Sequence, residues 1–87
     1  MLTVTPAALD RVSEKLAHRQ AAVGMALRIS RRENGWKFHP DRSAPADTTI
    51  ARDGVTVLLL DKAVAEAMAE KTLDVRTTDA GPRLMLR

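Results

Sequence analysis

Cysteine and tyrosine are absent from the 87 residues, and the aromatic complement is one Trp and one Phe. Without a thiol there is no disulfide framework, no thiolate nucleophile and no metal or cluster site built on cysteine. Glycine is also scarce: the four residues, at 24, 35, 54 and 81, lie too far apart for a phosphate-cradling loop. No apolar run approaches the roughly 20 residues of a membrane span. The opening MLTVTPAALDR lacks a basic segment followed by an apolar stretch of signal-peptide length. A cytoplasmic protein that does not associate with membranes is therefore expected.

What is present is a globular balance, 45% hydrophobic and 29% charged, in a length that fits one domain spanning residues 1–87. The charge is uneven. Residues 1–44 carry eight Lys/Arg against four Asp/Glu, and residues 45–87 carry six against seven. A basic first half can attract an acidic protein, a nucleic acid or an anionic metabolite, or can simply keep the surface soluble.

Thr5-Pro6 reads as a helix start, with Thr capping orphan amides and Pro in the first helical position. Val4 and Leu9 are spaced for a hydrophobic staple. Leu9, Val12 and Leu16 recur at helical spacing and Gly24 offers a stop, which predicts a helix from 6 to about 20. Its outer face is expected to hold Asp10, Arg11, Glu14, Lys15, His18 and Arg19, with Glu14 and His18 able to pair four apart. Residues 25–31 alternate as a strand with Met25, Leu27 and Ile29 on the buried side, and residues 32–35 turn the chain through Asn34-Gly35. Trp36 and Phe38 share one face of the returning strand, with Lys37 opposite. Residues 40–46, broken twice by proline, read as a loop.

Strands over 48–51 and 55–60 flank the hairpin signal Asp53-Gly54, and VTVLLL, apolar on both faces at its end, reads as a central covered strand. Asp61 caps a helix expected over residues 62 to about 71, with Val64, Ala67 and Met68 inward. Residues 73–77 alternate, 80–82 turn, and 84–86 form a terminal strand. The order, helix, four strands, helix, two strands, is that of an α+β domain with antiparallel or mixed sheets.

The search for chemistry is largely negative. Ser13, Ser30 and Ser43 lie in no nucleophile-elbow context, and His18 and His39 have no visible acid or base partner. His39 and Asp41 supply two potential metal ligands where a site needs three or four. Arg28, Arg31, Arg32, Lys37 and Arg42, near two aromatics, faintly resemble a nucleic-acid surface, although the element order is not that of the common RNA-binding domains. No residue is assigned to catalysis, to a cofactor or to a metal. The candidate interaction residues are Arg28, Arg31, Arg32, Trp36 and Lys37.

LTVTPAALDRV, then GMALRI leading to a Gly turn, then DGVTVLLLDKAVAEAM, then LDVRTTDAGPRLML follow one another in an order and spacing that resemble the A-type iron–sulfur carriers, the HesB-like family, over nearly the whole chain. The resemblance implies a single HesB-like domain. It also implies a cluster ligand immediately after the turn glycine, and Trp36 stands there. The family's other two cysteines lie beyond the final strand, and the 87 residues contain no counterpart. The stretch between Trp36 and Asp53 is shorter than the carriers', which implies trimmed strands.

Three functions follow, in order of preference. The first is a relative that binds no cluster and acts as an accessory or adaptor through protein partners, including the iron–sulfur assembly machinery. The second is an interaction or regulatory module outside iron–sulfur metabolism whose basic face, Arg28, Arg31 and Arg32, meets an acidic partner or, less favoured, a nucleic acid. The third is a metal-binding or catalytic protein using His39, Asp41 and Asp53. Homodimerisation, common among small carriers of this type, is left open, with residues 84–86 able to pair across subunits. Trp36 has two open readings, a core residue that fills the old ligand position or an exposed anchor for a partner.

Overall fold

The structure, a computed structural model, describes residues 1–18, 24–33 and 35–87. A short strand β1 (Thr3–Val4) is followed by α1 (Pro6–His18), β2 (Met25–Arg32), β3 (Gly35–Arg42), β4 (Thr48–Arg52), β5 (Val55–Leu60), α2 (Lys62–Ala67), β6 (Thr72–Thr78) and β7 (Gly81–Leu86). The expected α+β order holds, with β1 as an addition. Two residues are too few to show alternation, and β1 exists because Thr3 and Val4 pair in parallel with Thr72 and Leu73 at the other end of the chain.

Helix α1 begins where the sequence places it. The Ala8 amide donates to the Thr5 hydroxyl at 3.1 Å, and that hydroxyl donates to Asp74 on β6 at 2.9 Å, so one side chain both caps the helix and ties it to a sheet. Ala8 and Val12 are fully buried, while Leu9 and Leu16 pack half-buried against the core. The predicted end near residue 20 lies outside the described residues. Glu14 takes Arg11 as its partner, at 3.2 Å, rather than His18.

The strands form two sheets, one in the order β3-β2-β5-β4 and a smaller one in the order β1-β6-β7. In the larger sheet β2 runs antiparallel to β3 and parallel to β5, and β4 runs antiparallel to β5. VTVLLL is central as expected, with Val57, Leu58, Leu59 and Leu60 all buried. The β4–β5 register shifts between Ile50 and Ala51, which leaves Val57 as the extra residue of a bulge. Asp53 and Gly54 both take positive φ, 51° and 81°, as the tight hairpin between these strands requires. Helix α1 packs on β2, β5, β6 and β7 and so bridges the two sheets, whereas α2 covers β2 and β5. The core gathers Leu27, Ile29, Leu58, Leu60, Met68 and Leu73 from both sheets and the α2 end.

Three expectations are corrected. Residues 40–42 belong to β3, which pairs with β2 along all eight of its residues. Pro40 is tolerated because β3 is a sheet edge, where its missing N–H costs no ladder bond; Pro82 enters edge strand β7 for the same reason, and the turn is confined to Asp79 and Ala80. Helix α2 stops at Ala67 rather than near 71, and Met68 is its C-cap. Ala67 is therefore exposed, while Ala65 packs on the core in its place. Among the described residues no helix is long and apolar enough to cross a membrane.

Candidate functional site: a cationic groove between two sheet edges

The five sequence-predicted interaction residues divide between two faces of the larger sheet. Alternation along β2 sends Leu27, Ile29 and Arg31 to the helix side and Arg28, Ser30 and Arg32 to the other. Arg31 and Arg32 are both exposed. Arg28 is not a free surface charge. It donates to both carboxylate oxygens of Asp47 at 3.0 and 2.7 Å, to Asp41 at 2.7 Å and to the Arg42 carbonyl at 3.2 Å. Its side chain is 14% exposed and that of Asp47 only 3%. The Ala44 amide also donates to Asp47 at 2.7 Å, so this bidentate pair clamps the 43–47 loop onto the sheet. Hydrogen bonding from Arg28, then from the Ala44 amide, holds the Asp47 carboxyl below the usual range, and Arg28, then the Arg42 amide, does the same for Asp41. The guanidinium is correspondingly raised, first through Asp47 and then through Asp41.

Trp36 meets neither extreme of its two readings. It is half-buried, packed with Phe38 against the core, and the guanidinium of Arg31, its register partner on β2, lies 5.6 Å from the ring centroid. A cation over the indole face satisfies the exposed charge and shields the ring together.

Beside this pair opens a groove of about 440 Å³, bounded by Arg11 and Lys15 of α1, Trp36, Lys37 and Phe38 of β3, and Pro82, Arg83 and Leu84 of β7. A second basin of about 290 Å³ shares Trp36, Phe38 and Leu84 and continues past Lys71, Met85 and Leu86. Both walls are sheet edges, β3 of the larger sheet and β7 of the smaller. Trp36, Phe38 and Leu84 form an apolar strip common to both basins, the rest of the exposed lining is mainly polar, and every charged residue that lines either basin is a cation. Arg11 is engaged by Glu14, yet its Nε is buried with no hydrogen-bond partner. Of the sequence candidates Trp36 and Lys37 line the groove, Lys37 at the edge of β3 with its side chain on the opposite face from Trp36. Arg11, Lys15, Lys71 and Arg83 were not foreseen, because they come from elements up to 72 positions apart; the one local hint is that Ala8, Arg11 and Lys15 share a helix face.

His39 and Asp41 sit on edge strand β3, whereas Asp53 lies in the turn at the opposite edge of the sheet. Among the described residues no three His, Cys, Asp or Glu gather into a metal-binding group. The position after Gly35 presents an indole, which offers iron no ligand, and the donor set therefore does not fit an iron–sulfur cluster.

No family model matches the chain, and no curated protein matches it in sequence. Solved structures do. The chain superposes over 99% of its length on SufA of Escherichia coli, described as involved in the biosynthesis of iron–sulfur clusters, with a TM-score of 0.71, 21% identity and 83% of that chain covered. It superposes over its full length on a crystal structure of IscA with a [2Fe-2S] cluster, with a TM-score of 0.65, 19% identity and 84% of that chain covered. The 87 residues thus adopt the fold of SufA and IscA, the fold that the resemblance to the A-type carriers implies, and adopt it without a single cysteine.

Proposed function

We propose that this chain is a non-catalytic protein-contact module on the carrier fold, which holds no iron–sulfur cluster itself and serves as an accessory or adaptor in cluster biogenesis. One observation carries the reading: where the carriers' motif order calls for a thiol after the turn glycine, Trp36 is packed against the core beneath Arg31. An indole in that setting supplies apolar area and an interaction surface, and no ligand chemistry. The link to biogenesis draws its support from the shared fold, and a fold hosts functions without fixing one.

The test is anaerobic incubation of the chain with ferrous iron and sulfide, followed by desalting. The expected product is colourless; a stable visible chromophore on the protein overturns the reading. Affinity capture of the tagged chain from lysate of its own organism then tests the biogenesis link. Recovery of cluster-assembly proteins or iron–sulfur enzymes supports it, and a reproducible set of unrelated partners directs the function to the alternative, an interaction module outside iron–sulfur metabolism.

A further inference from the structure

We infer that the groove between β3 and β7 is a docking site for an extended acidic segment of a partner protein, with carboxylates along the cationic walls and apolar side chains on the Trp36–Phe38–Leu84 floor. The inference rests on the protein-contact reading but not on the biogenesis link.

Charge selects the occupant first. Arg11, Lys15 and Arg83 line the first basin and Lys71 joins at the second, with no carboxylate among the described lining residues of either. The charged residues that line both basins are all cations, and although Arg11 already engages Glu14, the excess of positive charge favours an acidic occupant. Shape selects next. Two basins joined through shared floor residues make a trough rather than a closed pocket, and two unpaired strand edges border it. An extended chain suits such walls, since edge strands offer backbone groups along their length and side chains of alternating character reach floor and rim in turn.

Trp36 separates a peptide from a nucleic acid. Single-stranded nucleic acids are held by bases stacking on open aromatic faces. Here Arg31 covers the indole at 5.6 Å and the ring packs on the core, so what it offers the groove is apolar contact. A second copy of this chain would bring the same cationic walls against themselves.

Trp36 is the sole Trp and reports on the groove directly. The experiment titrates the chain with an octapeptide alternating Glu and Leu and follows Trp emission, with the Lys–Leu counterpart and an oligothymidylate as comparisons. Saturable change with the Glu–Leu peptide alone is expected. Arg83→Glu, an exposed change on the groove wall, should weaken it by about tenfold or more, whereas Arg32→Glu, the same charge change on the far face of the sheet, should alter it less than about twofold. No spectral change, an equal response to the Lys–Leu peptide, equal weakening by both variants, or preferential binding of the oligothymidylate would each overturn the inference. So would a peptide-independent emission change that tracks protein concentration, which identifies a second copy as the occupant. Any of these results leaves the colourless outcome with iron and sulfide intact, so failure of the groove and failure of the cluster-free reading are told apart.

Discussion

Arg28 and Trp36 show how differently two residues of one sequence motif can behave. Arg28 reads from sequence as a surface recognition residue and Trp36 as either core or exposed anchor, and neither is free for recognition alone, because the alternation that separates strand faces says nothing of what packs on each. The two carboxylates that engage Arg28 stand 13 and 19 positions away. Arg28→Ala would leave Asp47 nearly buried and unpaired, and should cost about 2–4 kcal/mol, below the full loss seen when deeply buried pairs are broken. Arg32→Ala, at an exposed site, should stay within about 0.5 kcal/mol. Urea titrations of both variants check the contrast. Trp36→Ala should cost about 1–2 kcal/mol, because only part of the indole is withdrawn from water. That corresponds to a fall in Tm of about 4–16 °C for a domain of this size. An unchanged Tm would remove Trp36 from the packing.

At the level of elements, ends and edges decide the outcome. The Thr5 hydroxyl caps α1 and reaches Asp74, while the Asp61 carboxylate accepts from the Val64 amide at 2.8 Å to cap α2, which is six residues long. Thr5→Ala should cost about 1–2 kcal/mol, near the upper end for a cap, since it also removes one of the hydrogen bonds to Asp74 on β6. Asp61→Ala should cost about 1 kcal/mol and be visible in the exchange rates of the α2 amides. Caps, the Asp53-Gly54 hairpin and the covered strand 55–60 were legible because each is a local signal within a few residues. The extension of β3 through Pro40 and the entry of Pro82 into β7 were not, because a proline breaks a central strand but not an edge, and edge position is a property of the assembled sheet. The groove was illegible for the same reason. Its walls come from three elements that only the tertiary fold brings together.

For the molecule as a whole, acid stability follows from its depressed carboxylates. Asp41 and Asp47 are lowered chiefly by Arg28, and Asp74 by the Val75 amide, then the Thr5 hydroxyl and Arg87. Their folded values lie below the unfolded value of about 3.9, so in that interval the unfolded chain binds more protons and stability rises with pH. The contribution is complete at neutral pH and drains as pH falls through about 4 and below. Urea midpoints measured from pH 6 to 3 should therefore drop more steeply for the native sequence than for Asp47→Asn, which has no carboxyl to protonate at the clamp. Homodimerisation through residues 84–86 remains a proposal that sedimentation tests, and those residues already pair with β6 on one side. Strand β6 also joins the extremities of the chain: Thr72 faces Thr3 across one edge and exchanges hydrogen bonds of 2.8 and 3.0 Å with Arg87 across the other. Residues 3 and 87 therefore stand about 10 Å apart, two strand spacings. The fold is close to a covalent ring with one gap. A circular permutant that bridges this gap with a short linker and opens instead at Asp53-Gly54 should keep both sheets, and it would turn the sequence-distant pairing of β1 with β6 into a local one, made early in folding rather than late.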